Sequence, residues 1–451
     1  MNNYSDRLHN AIPGGAHTYS RGDDQFPDNC PDIFTRGMGS KLYDIHGVEY
    51  LDYGMGLRSV NIGYGNKEIA EAAYNEALKG NNLTRASFTE LEAAELFINT
   101  IPSVEMVKFA KHGSTVTTAA IKLARAYTGK RYILIPEEQP FFSFDDWFIG
   151  STPITKGTLP ESSKYTIKFK FGDRKDLLEK IEYFKDDIAG IMLEPSTNLS
   201  PCKNICSEFL NKKCNSCENT ESNFLKFIEE VCVKKNIVFI LDEMITGFRW
   251  SLNGAQSFYG VNPDLTTFGK AMANGYGLAA LGGKKDIMQL GGILEEGKER
   301  VFLTSTTHGA EMTSLGAFIK TVEVLERENG IDTIWKYGDR LKMGMQNIIN
   351  HYGLKDFFLL DGYSCSPAFT TLNHNGEFDF SFRTLFIEKM IEKKVLMPYI
   401  AICLEHEQTD YERTLEAFDY TMNIYSKALN SDVKKFLLSN RIVKPVFRKF
   451  N

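Results

Sequence analysis

Residues 265–270 read LTTFGK and place Lys270 directly after a short strand-like run and a glycine. Such a run predicts a strand that is covered on both faces, and the lysine follows its carboxyl end. Residues 237–241 read IVFIL and deliver Asp242 at a strand end in the same way. Open parallel sheets bind their ligands beyond the carboxyl ends of the strands, so we expect Lys270 and Asp242 to share a site.

The pairing of these two residue types has a chemical reason. A lysine amine forms a Schiff base with pyridoxal phosphate (PLP). A buried carboxylate facing the pyridine nitrogen keeps that nitrogen protonated, which makes the ring an electron sink. Taken separately, Lys270 has the ordinary interpretation of a solvated turn residue, and Asp242 that of a helix cap. The two together favour a PLP site.

A phosphate-binding turn is predicted at residues 112–115, which read HGST between a predicted strand and a predicted helix. Glycine lets the backbone approach an anion, and a helix N-terminus offers unpaired N–H groups and a positive dipole end. Ser114 either caps the helix or adds its hydroxyl to the phosphate. Apolar positions recur at helical spacing over residues 116–127, and Gly129 lies where this helix would end.

The chain from residue 106 onward alternates strand-like and helical patterns, which indicates an α/β fold with a mostly parallel sheet. Both chain ends read differently and are assigned to a small α+β domain. We predict that residues 1–60 contribute to this domain and to the active-site rim. Residues 61–315 form the large PLP-binding domain with a cysteine-rich insertion at 196–222, and residues 316–451 complete the small domain. The predicted strands of the large domain cover residues 106–110, 132–135, 189–193, 237–241, 265–268 and 278–281.

Composition excludes several classes of protein. The 451 residues are 43% hydrophobic and 24% charged, which is typical of a folded globular chain and excludes a disordered or collagen-like one. With 52 basic and 58 acidic residues the formal net charge is −6, so there is no overall positive field for a nucleic acid. No apolar run approaches the roughly 20 residues that cross a bilayer, and residues 1–15 lack a signal-peptide pattern. We predict a soluble, cytoplasmic protein with no nucleic-acid or membrane partner.

The sequence resembles the class III PLP-dependent aminotransferases, and within them the glutamate-1-semialdehyde 2,1-aminomutase-like branch. The resemblance covers nearly the whole chain and implies a PLP-dependent transferase of fold type I, whose large domain has a mixed seven-stranded sheet. It also implies a homodimer with active sites at the subunit interface. The most specific stretches are residues 12–15 (IPGG), 42–53 (LYDIHGVEYLDY), 119–129 (AAIKLARAYTG), 241–249 (LDEMITGFR) and 263–270 (PDLTTFGK).

The resemblance implies roles for individual residues at the cofactor ring. Lys270 corresponds to the Schiff-base lysine and Asp242 to the partner of the pyridine nitrogen. Phe141 corresponds to the aromatic residue that stacks on the cofactor. Asn198 corresponds to the asparagine near the phenolic oxygen of the cofactor.

The resemblance also implies a phosphate site shared between two chains. Gly113 and Ser114 correspond to the glycine and threonine of the family's phosphate loop. Ser305 and Thr306 fall where the family has a Gly-Thr pair, whose threonine reaches the cofactor phosphate of the neighbouring subunit. On this basis, complete cofactor binding requires dimerisation.

The chain departs from the family pattern around the substrate. Lys111 and His112 precede the phosphate glycine where the family has Asn-Ser, which adds a cation and an imidazole. Arg58 and His17 lie in the amino-terminal segment that borders the substrate in relatives. Arg58, His17 and His112 are the candidate substrate residues, and the alternatives are a surface arginine and structural histidines. The sequence does not identify the acceptor; a small phosphorylated ketone or a sugar-like carbonyl is a hypothesis based on the extra basic groups Lys111 and Arg58.

Four clustered cysteines predict a metal site in the insertion. A C-x3-C-x7-C-x2-C pattern in a reducing compartment favours a structural zinc site with four sulfur ligands over two disulfides. Zinc would order a segment that has few apolar residues. An iron–sulfur cluster and unpaired solvated thiols are the alternatives. The predicted ligands are Cys202, Cys206, Cys214 and Cys217.

The function predicted from these features is that of a PLP-dependent aminotransferase. Its partners are a small-molecule amino donor and a carbonyl acceptor, and Lys270 acts as the general base. The first alternative is a 2,1-aminomutase of the glutamate-1-semialdehyde type, which moves the amino group within one molecule. The second is a catalytically silent PLP-fold binding protein, which the intact Lys270 and Asp242 disfavour.

Overall fold

A computed structural model describes residues 4–196, 199–202 and 223–451. The chain divides into two compact units. The larger unit comprises Lys67–Ile331 and Lys449–Asn451, and the smaller unit comprises Met1–Asn66 and Asp332–Arg448. In these described stretches, no helix has the combination of length and apolar character that a membrane span requires.

Strands and helices alternate through the central part of the chain. The strands are β1 (Phe34–Met38), β2 (Lys41–Asp44), β3 (Glu49–Asp52), β4 (Met106–Ala110), β5 (Tyr132–Pro136), β6 (Thr166–Phe169), β7 (Ile188–Leu193), β8 (Val238–Asp242), β9 (Leu265–Phe268), β10 (Ala279–Gly283), β11 (Phe358–Tyr363), β12 (Ser366–Thr371) and β13 (Val395–Leu396). The helices are α1 (Tyr4–Ala11), α2 (Met55–Arg58), α3 (Lys67–Leu78), α4 (Phe88–Thr100), α5 (Gly113–Thr128), α6 (Asp146–Ile149), α7 (Pro160–Ser163), α8 (Arg174–Phe184), α9 (Phe224–Lys235), α10 (Gly254–Tyr259), α11 (Lys285–Met288), α12 (Met312–Arg327), α13 (Gly330–His351), α14 (Phe380–Glu392) and α15 (Gln408–Leu429).

The larger unit is built on a seven-stranded sheet with the order β4-β10-β9-β8-β7-β5-β6. Strands β9, β8, β7, β5 and β6 pair in parallel, whereas β10 is antiparallel to both of its neighbours, β4 and β9. The sheet is therefore mixed and mostly parallel, and helices connect its parallel strands. The predicted α/β fold with a mixed, mostly parallel seven-stranded sheet is confirmed.

The central strands and α5 form the core of the larger unit. Every residue of β7 and β8 is buried, as their continuous apolar runs predict for strands covered on both faces. Helix α5 buries Val116, Ala120 and Leu123 on the face that packs in this core. The helix ends at Gly129, whose left-handed φ of 70° closes the last turn with a hydrogen bond from its N–H to the carbonyl of Arg125. The packing of this face against the central strands holds α5 in the core of the larger unit.

The smaller unit combines a four-stranded sheet, in the order β1-β2-β3-β13, with the hairpin β11–β12. Its core includes a cluster of aromatic rings in which Phe358 contacts Phe369, Phe386 and Phe418 at centroid distances of 5.5, 5.1 and 5.5 Å. Both chain ends contribute to this unit, since β1–β3 come from the first 66 residues and the other strands from the last 120 or so.

Candidate active site

Asp242 is held at the end of β8 by its neighbours. It lies opposite Thr267 of β9 in the parallel register. The side chain is buried, and Oδ1 accepts hydrogen bonds from the backbone N–H of Met244 and from the hydroxyl of Thr267, both at 3.0 Å. Since both hydrogen bonds reach Oδ1, Oδ2 is left to accept a further donor, such as a protonated pyridine nitrogen.

Lys270 follows β9 at the same edge of the sheet. It begins a short 3-10 helix directly after Gly269, with a left-handed φ of 45° that is uncommon for a residue with a Cβ. Burial raises the pKa of the Asp242 carboxyl, and the positive charge of Lys270 acts in the opposite direction. The parallel register pairs Asp242 with Thr267, three residues before Lys270, so both residues lie at the same edge of the sheet. The structure therefore brings Lys270 and Asp242 into one site.

Met244 lies between two glycines of this site. A Cβ atom at Gly113 would lie 3.0 Å from Met244 Sδ, and a Cβ atom at Gly269 would lie 2.6 Å from it. Gly269 has an extended φ of 177°, so glycine is required there by the close approach of the thioether and not by the backbone angle. Met244 therefore fixes the distance between the start of α5 and the segment that carries Lys270.

The first turn of α5 is arranged as an anion site. Residue His112 precedes the helix in an extended conformation and supplies no side-chain cap. Ser114 is buried inside the first turn, and its Oγ accepts a hydrogen bond of 3.1 Å from the backbone N–H of Phe144. The predicted capping role of Ser114 is wrong, because the helix begins at Gly113 and its N-cap position is His112, two residues before Ser114. Its hydroxyl hydrogen is available to a phosphate oxygen, which complements the positive end of the helix dipole.

An aromatic segment runs along the same turn of α5. The Thr117 hydroxyl donates to the carbonyl of Phe142 at 2.8 Å, which fixes this segment against the helix. Phe141 is 45% exposed and contacts Phe148 edge to face at 5.9 Å. The exposed His112 lies 5.5 Å from the ring of Phe144. Phe141 and His112 are thus near the phosphate turn, and their predicted contacts with ring and substrate stay predictions.

The other predicted site residues fall into three groups. Ser305 and Thr306 lie exposed in the segment before α12. Arg58 and His17 belong to the smaller unit, where His17 is exposed and the Arg58 guanidinium lies 4.6 Å from the ring centre of Tyr399. The roles of these four residues stay predictions. Asn198 lies outside the described residues.

The predicted zinc site is only partly within the described residues. Cys202 is described and buried, whereas Cys206, Cys214 and Cys217 lie outside them. Among the residues that the structure describes, no group of three or more His, Cys, Asp or Glu side chains is placed to hold a metal ion. Zinc therefore stays a prediction from the spacing of the cysteines.

Comparison with known proteins assigns the family. The family model Aminotransferase class-III matches residues 23–357. The chain belongs to this family. Similar curated proteins are the 3-aminobutyryl-CoA aminotransferase of Cloacimonas acidaminovorans (strain Evry) and the glutamate-1-semialdehyde 2,1-aminomutase 1 of Macrococcus caseolyticus (strain JCSC5402). The first is 30% identical over 429 residues, covering 94% of this chain and 95% of the relative. The second is 29% identical over 439 residues, covering 92% and 96%.

A solved structure supports the same assignment. The PLP internal aldimine form of the FumI protein from Sphingopyxis sp. MTA144 superposes with a TM-score of 0.81, covering 96% of this chain and 99% of that chain. At 22% sequence identity this likeness shows the fold. Together with the class III family match, it identifies PLP as the cofactor of this PLP-dependent aminotransferase-family enzyme.

The residues of the site fit this cofactor. Asp242 offers an open carboxylate oxygen to the ring nitrogen, Lys270 offers an amine, and the first turn of α5 offers N–H groups and the Ser114 hydroxyl to the phosphate. A larger side chain at Gly113 or Gly269 would require Met244 to move.

Lys111 has a different role from the one that the sequence indicated. We expected it to be an extra cation for an anionic substrate. In the structure of this class III enzyme it forms an ion pair with Glu311 and also donates to Ser314 Oγ at 2.8 Å and to the carbonyl of Gly277 at 3.1 Å. Because its charge is neutralised within the larger unit, Lys111 does not supply a free cation for the acceptor.

Three residues of the site were missed in the sequence. Thr267 could have been found, because a polar residue facing Asp242 in the next parallel strand is a natural partner for a buried carboxylate. Met244 gave no signal, since a methionine after an acidic pair reads as core. Glu311 gave none either, because its partner Lys111 lies 200 positions away.

Proposed function

We propose that the chain is a PLP-dependent aminotransferase that moves an amino group from an amino donor to a small carbonyl acceptor. The observation that carries this proposal is the convergence of Lys270 and Asp242 at the carboxyl ends of two adjacent parallel strands. The buried carboxyl group and the amine interact electrostatically there, beside a helix start built for an anion. Family relatives with aminotransferase and aminomutase names support the proposal.

Each residue has a task in this reaction. When bound, PLP would supply an electron sink for the electron pair released at the substrate carbon. Asp242 Oδ2 would hold the proton of the ring nitrogen, and Lys270 Nζ would take up the proton of the substrate carbon and return it. Ser114 and the amides of the first turn of α5 bind the phosphate. Phe141 covers a face of the ring and excludes water.

The aminotransferase and the 2,1-aminomutase use the same residues but differ in stoichiometry. We expect an amino donor without an acceptor to convert the bound cofactor to its pyridoxamine form and to release one keto product per active site. An aminomutase would instead turn over a single compound with no co-product. Absorbance of the cofactor and chromatography of the products in one mixture separate the two. Catalysis without any keto product would reject the aminotransferase in favour of the aminomutase.

We also propose that the enzyme acts as a homodimer in which Thr306 serves the neighbouring active site. In the single chain, Ser305 and Thr306 are exposed. The same unit exposes large apolar side chains that a second copy would cover: Tyr74 at 62%, Leu78 at 68%, Phe88 at 73%, Ile293 at 77%, Leu294 at 89% and Phe302 at 67%.

Mixed dimers test this arrangement. Lys270→Ala and Thr306→Val chains are each expected to give defective homodimers. When they are dissociated and reassembled at equal amounts, half of the dimers pair one chain of each kind. Those dimers have one intact site, with the lysine of one chain and the threonine of the other, so about a quarter of wild-type activity should return. If Thr306 serves its own chain, no site is intact and activity stays at the mean of the two parents.

A further inference from the structure

The strongest unexplained feature near the site is the buried contact between Lys111 and Glu311. Lys111 follows β4 and comes two residues before Gly113, at which the phosphate-binding helix begins. Glu311 is the N-cap of α12 and accepts the backbone N–H groups of Thr313 and Ser314, both at 3.1 Å. The two side chains are only 29% and 10% exposed, respectively, so this ion pair is mostly screened from water.

The pair connects three segments of the larger unit that each carry a cofactor residue. The first is the β4–α5 turn with Gly113. The second is the segment after Lys270, because Lys111 Nζ and Ser314 Oγ both donate to the carbonyl of Gly277, at 3.1 and 3.0 Å. The third is the start of α12, which follows the segment of Thr306. Lys111 therefore connects the β4–α5 turn with the segment after Lys270 and with the start of α12.

A second contact fixes the third segment to β4. A Cβ atom at Gly309 would lie 3.0 Å from the carbonyl oxygen of Phe109 and closer still to Oγ1 of Thr306. The segment that carries Thr306 is thus packed directly on the strand that precedes Lys111. A shift of Lys111 would move the phosphate turn of its own site and, in the proposed dimer, the Thr306 segment that serves the neighbouring site.

The electrostatics of the pair are favourable. Burial raises the pKa of the Glu311 carboxyl, but the hydrogen bonds from Lys111, Ser314 and Thr313 outweigh burial and lower this pKa to about 2. Glu311 is thus ionised at all ordinary pH values, and its negative charge is cancelled by Lys111. Without the lysine, a buried carboxylate would stand unpaired close to the phosphate site.

We propose that Lys111 and Glu311 are positioning residues for PLP, which hold the phosphate-binding turn in register with the segment of Lys270 and prevent an uncompensated charge from acting on the phosphate. This inference rests on the proposed cofactor site. It also accounts for one departure from the family pattern, namely the lysine before His112-Gly113.

The test uses Lys111→Met and the double variant Lys111→Met/Glu311→Gln. PLP is titrated into cofactor-free protein, and the pH midpoint of the bound-cofactor absorbance is measured. We expect K111M to raise the dissociation constant of PLP about tenfold and to move the pH midpoint, because the unpaired carboxylate repels the phosphate. The double variant carries no uncompensated charge and should return to within about threefold of wild type.

The control is Lys284→Met, which removes a different partly exposed ion pair of the same unit, Lys284–Asp264. It should lower the melting temperature and leave PLP binding and the pH midpoint unchanged. If K111M does not fold, Lys111→Gln replaces it. Because glutamine still reaches toward Glu311, we expect the dissociation constant of PLP to rise only about threefold. A K111M or K111Q protein with wild-type affinity and midpoint overturns the proposal. A wild type that binds no PLP overturns the proposed function as well.

Discussion

Lys270→Ala is expected to lower the transamination rate by about 10⁴-fold or more, because it removes the group that moves the proton at the substrate carbon. It should also abolish covalent attachment of PLP, while the phosphate turn and Asp242 still bind the cofactor non-covalently. The measurements are the rate with an amino donor and a carbonyl acceptor, and the mass of the chain after borohydride reduction with PLP.

The backbone makes this substitution a clean test. Lys270 has a φ of 45°, and alanine and lysine both carry a Cβ there, so the strain of the left-handed conformation is the same in both proteins. The matched control is Lys284→Ala, which removes a lysine after the neighbouring strand β10 and should keep wild-type activity. Covalent PLP on another lysine of the Lys270→Ala protein, with activity retained, would show that the amine has been assigned to the wrong residue.

The strands that carry the site could be predicted because they are buried on both faces. β8 reads as a continuous apolar run and β9 as a short run of β-branched and apolar residues, and the parallel-sheet rule then places Asp242 and Lys270 at one edge. Strand β6, Thr166–Phe169, was not predicted. It lies at the edge of the sheet and has only four residues, two of them partly exposed, so its sequence shows no continuous apolar run.

Contacts between distant residues could not be predicted in the same way. The sequence shows Lys111 as a cation beside a phosphate glycine, which reads as a substrate group. Only the three-dimensional fold shows that β4 and the start of α12 meet, and that Glu311 neutralises this charge. The N-terminal boundary of α5 was also displaced by two residues, and this shift decides whether Ser114 caps the helix or lies within its first turn.

Asp242→Asn is expected to have opposite effects on the cofactor-free and the PLP-bound protein. Asparagine keeps an Oδ1 acceptor for the Met244 N–H and the Thr267 hydroxyl, so the local hydrogen bonds remain. It removes the negative charge that holds the proton on the ring nitrogen, so the transamination rate should fall at least about a hundredfold. The melting-temperature increase caused by PLP should shrink as well.

The pH dependence of stability predicts the direction in which Asp242→Asn changes the melting temperature of the cofactor-free protein. Burial raises the pKa of the Asp242 carboxyl above its unfolded value. The stability that this group contributes is therefore complete below the unfolded pKa and is lost as the pH rises through the folded pKa. At pH 8 the wild type must bury a carboxylate, whereas the variant does not. Cofactor-free Asp242→Asn should thus melt at a higher temperature than wild type at pH 8, and the difference should decline toward pH 4.

Glu243→Gln is the matched control, because Glu243 is the adjacent residue and is also buried with a raised pKa. Its carboxylate accepts the backbone N–H groups of Ala255 and Gln256 and the Thr246 hydroxyl, and so has no oxygen for the cofactor. In the variant, the NH2 group of glutamine cannot accept hydrogen bonds from the donors that face it. The melting temperature should therefore fall by similar amounts with and without PLP. Scanning fluorimetry from pH 4 to pH 8 with and without PLP separates the two variants. Equal PLP-induced shifts in wild type and Asp242→Asn, together with wild-type turnover, would contradict the role of Asp242 at the ring nitrogen.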